Sequence, residues 1–298
     1  IRHNINNMPT INILGVSHAY ELIPSSSNSS KPVLIFVHGW LLSRQYWSPL
    51  IKRLSKKYSC LIYDLRGFGD SQPINNFVSQ EIQISSPYSP ETYAKDLVIL
   101  LEKLKIHKSW LIGHSVGGNI ALWGAELCPE KVQGVICLNV GGGIYLKEEF
   151  ERFLLVGQQL IRYKPTWLLG FPVVEILFSK IIITNSIARR WGKQRVIDLI
   201  KANPIAALGS LLNSTTEKEV HVLPQIVACL SQPVYFLAGG QDRLIESQYV
   251  RYLASFHKLF SFQGKNVIDF PNCGHMPMIE KPELLEEKML GILIAHKL

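Results

Sequence analysis

Gly113-His114-Ser115-Val116-Gly117 places a serine between glycines two positions away on either side. Small residues there let the chain turn so sharply that the hydroxyl stands clear of the backbone, as a nucleophile must. A serine hydroxyl attacks poorly near neutral pH. It needs a base to take its proton, and the base needs an acid to orient its ring and stabilise its cation. Of nine histidines, His275 fits the base best: it lies in the tight turn Asn272-Cys273-Gly274-His275-Met276-Pro277, between a strand-like run and a final helical pattern. His3, His107, His221, His257 and His296 sit in settings that suit exposed or structural roles, and His38 and His114 read as supports at strand ends.

For the acid, Asp242 closes Ala238-Gly239-Gly240-Gln241-Asp242, directly after an apolar run, where a loop shares the ligand-binding edge of a parallel sheet with Ser115. The alternative is a group near Asn139, whose neutral amide is a poor partner for an imidazolium. Asp64 reads as fixing the turn Arg66-Gly67-Phe68-Gly69, Asp96 as a solvated mid-helix residue, and Asp269 as part of the last strand. The backbone N–H groups of Val116, opening a helix, and Trp40, after His38-Gly39, are candidates to hold an oxyanion.

Positioning these residues requires strands that end near one another. Val33–Val37, Cys60–Tyr63, Trp110–Ile112, Val135–Leu138 and Val234–Leu237 are continuous apolar runs, the pattern of strands buried on both faces of a parallel sheet. Ile11 to Ile23 reads as an edge hairpin and Asn266 to Phe270 as a last strand. Helical patterns fall between them at Trp47–Lys56, Pro90–Leu104, Gly117–Leu127, Leu244–Phe256 and Pro282–His296, which predicts an α/β fold with helices on both faces. From Ile144 to Leu223 the alternation stops. That stretch is helical throughout and punctuated by Pro165, Pro172 and Pro204. It reads as an insertion, residues 144–223, above a core formed by 8–143 and 224–298. Its apolar segment Trp167 to Phe178 is too short and interrupted to span a bilayer and is read as the cover of an apolar pocket.

With 47% hydrophobic and 18% charged residues, the 298-residue chain cannot be disordered or fibrous. Its net charge of +8 is scattered, and the densest group, Arg189, Arg190, Lys193 and Arg195 around Trp191, is read as a solvated helix face. No nucleic-acid partner is expected, while peripheral contact with anionic membranes is a secondary expectation. Five cysteines without a C-x-x-C pair suggest buried small hydrophobes in a reducing, cytoplasmic compartment. Met8, behind the polar residues Ile1 to Asn7, reads as the start of translation.

Taken in order, His38-Gly39-Trp40, Asp64 to Ser71, Gly113 to Gly118, Gly240-Gln241-Asp242, Gly274-His275 and Glu280-Lys281-Pro282 resemble the α/β-hydrolase superfamily, in its serine-nucleophile, esterase/lipase-like branch with a single helical cap. The resemblance implies an eight-stranded, mostly parallel sheet with a cap inserted after the sixth strand. Two departures stand out: the long, polar link Gln72 to Ser89, and Gly141-Gly142-Gly143, which reads as a flexible cap entrance. Serine at the elbow separates the chain from haloalkane dehalogenases and epoxide hydrolases, which use aspartate there.

The expected function is a serine hydrolase cleaving a carboxylic ester of a hydrophobic substrate, of lipid or isoprenoid type, without cofactor or metal. Ser115, Asp242 and His275 form the expected triad, Trp40 and Val116 the oxyanion hole, and Leu41, Tyr145, Trp167, Leu168, Phe171 and Met276 the pocket wall. Carbon–carbon bond hydrolysis or thioester hydrolysis on the same triad, and a non-catalytic small-ligand receptor on the same scaffold, are the alternatives.

Overall fold

Strands form at each apolar run and align so that their carboxyl ends meet. In chain order they are β1 (Thr10–Ile13), β2 (Val16–Ile23), β3 (Val33–Val37), β4 (Cys60–Tyr63), the two-residue β5 (Gln72–Pro73), β6 (Ser109–His114), β7 (Val132–Leu138), β8 (Val234–Gly239) and β9 (Val267–Phe270). They belong to a computed structural model that describes residues 8–26, 31–73, 87–142, 147–163, 175–177, 180, 183–261 and 264–298. Across the sheet the order is β1-β2-β4-β3-β6-β7-β8-β9, eight strands, with β5 added beside β2. From β4 across to β9 every neighbouring pair is parallel, whereas β1 and β2 form an antiparallel hairpin at the margin.

Alternation along the strands divides the core in two. Ile35, Val37, Leu61, Tyr63, Leu111, Val135 and Phe236 face one side, with Leu97, Leu100, Ile120, Leu122, Val250 and Leu253 packed on them. Leu34, Phe36, Ile62, Trp110, Ile112, Ile136 and Leu237 face the other, beneath Leu50, Leu54, Leu285, Met289 and Leu293. The first layer comes from α2 (Pro90–Lys103), α3 (Val116–Leu127) and the helix Ser247–Ala254. The second comes from α1 (Ser48–Leu54) and the helix Pro282–Ala295. Each fully buried aliphatic side chain is worth roughly 1.5–3 kcal/mol, so strands covered on both faces are the most stable part of the molecule. Helix α2 starts sharply because Ser89 Oγ accepts from Thr92 N at 3.2 Å and Pro90 pre-sets the first turn.

Between β7 and β8 the regular structure among the described residues is helical, with α4 (Lys147–Tyr163) followed by helices Arg189–Lys201, Pro204–Asn213 and Glu217–Cys229. The last of these runs across the boundary expected at Leu223, because Leu223, Ile226 and Val227 pack into the first core layer. No helix among the described residues is long and apolar enough to cross a membrane.

Three sequence readings change. Asp96 is buried rather than solvated: it takes Arg66 Nε at 2.9 Å and Nη2 at 2.5 Å, a two-pronged ion pair that its helical spacing does not reveal. In the basic group, Arg189, Arg190 and Lys193 are exposed, but Arg195 is half-buried and Trp191 stacks on Tyr46 with ring centroids 5.5 Å apart. Gly141 and Gly142 are packed rather than loose, since a Cβ on Gly142 would lie 2.8 Å from Leu253 Cδ1. Cys60, Cys128, Cys137 and Cys273 are buried and Cys229 is exposed, all as free thiols.

Candidate active site

Ser115 joins β6 to α3 with φ 53° and ψ −127°, a conformation L-residues avoid. The turn closes because its neighbours lack side chains. A Cβ on Gly113 would fall 2.3 Å from Gly117 O, and one on Gly117 would fall 2.3 Å from Val37 O. The serine precedes the helix without capping it through its side chain. Val116 is the first helical residue, where backbone N–H groups have no partner within the helix and the helix dipole favours an anion.

Asp242 and His275 follow β8 and β9. His275 Nδ1 lies 2.7 Å from Asp242 Oδ2, in a pair whose side chains are 5% and 0% exposed. A carboxylate only accepts, so Nδ1 carries the proton and Nε2 presents a lone pair. The other carboxylate oxygen is fixed by the N–H groups of Leu244 at 2.8 Å and Ile245 at 3.1 Å.

The loop carrying His275 is held through its main chain. Asn139 Nδ2 donates to Gly274 O at 3.0 Å and His275 O at 2.9 Å, while its Oδ1 accepts from Gly239 N at 2.7 Å. Asn139, considered above as an alternative to the acid, thus ties the ends of β7 and β8 to the histidine loop. His114 Nε2 donates to His275 O at 2.7 Å, and the two rings meet edge to face at 4.8 Å. Burial, reinforced by the neighbouring His275, holds the pKa of His114 well below the usual histidine value, which keeps its ring neutral. His38 is a support as well: Nε2 accepts from Leu65 N at 3.0 Å, so Nδ1 donates to Gly39 O at 2.8 Å and sets the turn before Trp40. Burial lowers its pKa despite the nearby Asp64. Asp64 itself accepts from Arg44 N at 2.7 Å and Asp70 N at 2.8 Å, fixing the neighbouring turn.

A cavity of about 160 Å³ opens at these strand ends. Among the described residues its wall includes Ser115, His275, Trp40 and Val116, the apolar Val140, Leu211, Leu244 and Ile245, and the polar Asn119, Ser214, Thr215, Arg243 and Glu246. Leu211, Ser214 and Thr215 come from the segment between β7 and β8. Trp40 reaches the same segment, donating from its indole Nε1 to Ala207 O at 2.8 Å. Ser115 and His275 both line the cavity, and a serine–histidine hydrogen bond often forms only around a substrate.

Two expected wall residues lie elsewhere. Met276 is fully buried in the second core layer, and Leu41, with φ 53°, packs against the first. Tyr145, Trp167, Leu168 and Phe171 lie outside the described residues. Asn119 and Arg243 carry no sequence signal of a cavity role beyond their nearness to Ser115 and Asp242.

A family model described as alpha/beta hydrolase fold matches residues 32–174. A Haemophilus influenzae protein named for an inferred esterase or lipase activity is 31% identical over 270 residues, covering 89% of this chain and 84% of its own. The pimeloyl-[acyl-carrier protein] methyl ester esterase of Pseudoalteromonas atlantica is 24% identical over 259 residues, covering 85% and 91% of the two chains. A thermophilic esterase structure from Thermogutta terrifontis superposes with a TM-score of 0.73 at 21% identity, covering 96% of this chain and 98% of that one. The chain belongs to the alpha/beta hydrolase fold family, and it is a hydrolase of that fold.

Proposed function

We propose that the protein cleaves carboxylic esters of hydrophobic substrates through an acyl-enzyme on Ser115. The observation that carries this reading is the 2.7 Å Asp242–His275 bond, with His275 and Ser115 lining the same cavity. His275 Nε2 takes the serine proton as Oγ attacks the carbonyl carbon, and Asp242 stabilises the imidazolium that results. The carbonyl oxygen becomes an anion held by the N–H groups of Val116 and Trp40, donors typically worth about 100- to 1000-fold in rate each. His275 then hands its proton to the leaving alcohol. Water repeats the sequence on the acyl-enzyme, releasing the acid and restoring Ser115.

Residues 144–223 act as the cap in this scheme. Leu211 together with Val140, Leu244 and Ile245 supports an apolar acyl or alcohol group as the preferred occupant. The test pairs a fluorophosphonate probe with nitrophenyl esters from acetate to decanoate, on the wild type and Ser115→Ala. Labelling and turnover are expected in the wild type and lost in the variant. Medium-chain esters should outpace acetate, because each buried methylene contributes about 0.8 kcal/mol. Labelling that survives Ser115→Ala removes the nucleophile assignment, and an acetate preference removes the hydrophobic substrate.

A further inference from the structure

Glu280 ends the one-turn helix Pro277–Glu280 that follows the His275 loop, and only 9% of it is exposed. Its carboxylate takes the amides on both sides of the histidine: Gly274 N reaches Oε2 and Met276 N reaches Oε1, each at 3.0 Å. The same Oε2 accepts from residues of the segment between β7 and β8, namely Thr184 N at 3.0 Å, Asn185 N at 3.1 Å and Asn185 Nδ2 at 3.3 Å. Asn185 Nδ2 also donates to Asn272 O at 2.7 Å, just ahead of the histidine.

A buried carboxylate without a cation is costly unless donors surround it. Here every donor is an amide, and three of the four on Oε2 come from Thr184 and Asn185. If that segment lifts, Oε2 keeps one donor and the clamp on Gly274 and Met276 loses its counterpart. Glutamine cannot replace the carboxylate, since either orientation turns its NH₂ towards an N–H.

We infer that Glu280 is a positioning residue through which the seating of Thr184–Asn185 sets the placement of His275. This rests on His275 being the base of the proposed esterase.

The test compares Asn185→Ala, Glu280→Gln and the double variant in nitrophenyl butyrate hydrolysis and in amide hydrogen exchange of Gly274 and Met276. Asn185→Ala should lower kcat by about 3- to 10-fold with KM nearly unchanged and speed exchange at both amides. Glu280→Gln should lower kcat by about 10- to 100-fold, the scale on which a misplaced catalytic group acts. Adding Asn185→Ala to it should then cost less than the same change costs the wild type, the remainder being the bond of Asn185 to Asn272 O. Multiplying effects, or unaltered exchange in Asn185→Ala, overturn the inference, and a purely structural role would lower the melting temperature without separating kcat from KM. Should Glu280→Gln fail to fold, Asn185→Asp sets a second carboxylate against Glu280 and must give the same exchange result. The exchange arm decides the coupling even if the wild type hydrolyses no ester, in which case the proposed function alone fails.

Discussion

Buried carboxylates in this molecule differ in the groups that face them. Asp64 faces the Arg44 guanidinium, Asp242 faces His275, and Glu280 is ringed by amides. Asp198, 2% exposed, accepts from Ser43 Oγ at 3.1 Å and Gln194 Nε2 at 3.0 Å, and burial pushes its pKa up from 3.8 to about 7. Between those values the folded protein holds a proton that the unfolded chain has released. Stability from this group therefore falls as pH rises from about 4 to about 7, and the deficit is complete above that. Asp198→Asn should raise the melting temperature at about pH 8 by at least ~2 °C, roughly 1 kcal/mol for a chain of this size, and do nothing near pH 3. A lower melting temperature at the alkaline end would mean that the charge is well paired. The placement of Ser115, Asp242 and His275 at strand ends is legible in the sequence because each follows a strand in a glycine-containing turn. Glu280 stands out there only as part of a family motif, and its contacts do not, because its partners Thr184 and Asn185 lie 96 and 95 residues away. Asp96 is misread because a helical period cannot distinguish a solvated acid from one buried against a distant arginine.

At the scale of elements, the parallel strands are readable because a strand covered on both faces must be apolar at every position. β5 is missed: two residues carry no period. The helix Glu217–Cys229 escapes a boundary drawn at Leu223 because Pro224 sits inside it without ending it. The elbow depends on close approach of two elements, since a Cβ on Gly117 would fall 2.3 Å from Val37 O and 2.5 Å from His38 O at the end of β3. Gly117→Ala must push α3 away from the strand that leads to Trp40, an overpacking that costs about 1–3 kcal/mol. The expected result is a folded protein with a lower melting temperature and at least ~100-fold slower fluorophosphonate labelling, as both candidate oxyanion donors move. Labelling at the wild-type rate would show that the turn tolerates the methyl group and that its tightness is not what presents Ser115.

Across the whole molecule, the candidate site gathers the carboxyl ends of β3, β6, β7, β8 and β9, so no single contiguous stretch of sequence contains it. The strands contribute unequally. β6 lies between β3 and β7 with all six residues buried, whereas β9 is the outermost strand on its side and only Phe270 is buried. The proposed nucleophile thus follows an inner strand, and the proposed base follows the outermost strand on its side in a buried loop tethered by Asn139, His114 and Glu280. Local opening begins where few apolar contacts must be broken. In rising urea the ester-cleaving activity should vanish at a lower midpoint than the far-ultraviolet circular dichroism signal, and coincident midpoints would refute this. Between the two midpoints the enzyme would be folded but silent, with an intact serine and no base in reach. Mild stress would then switch off the catalyst reversibly, well before it exposed the core and made the chain prone to aggregate.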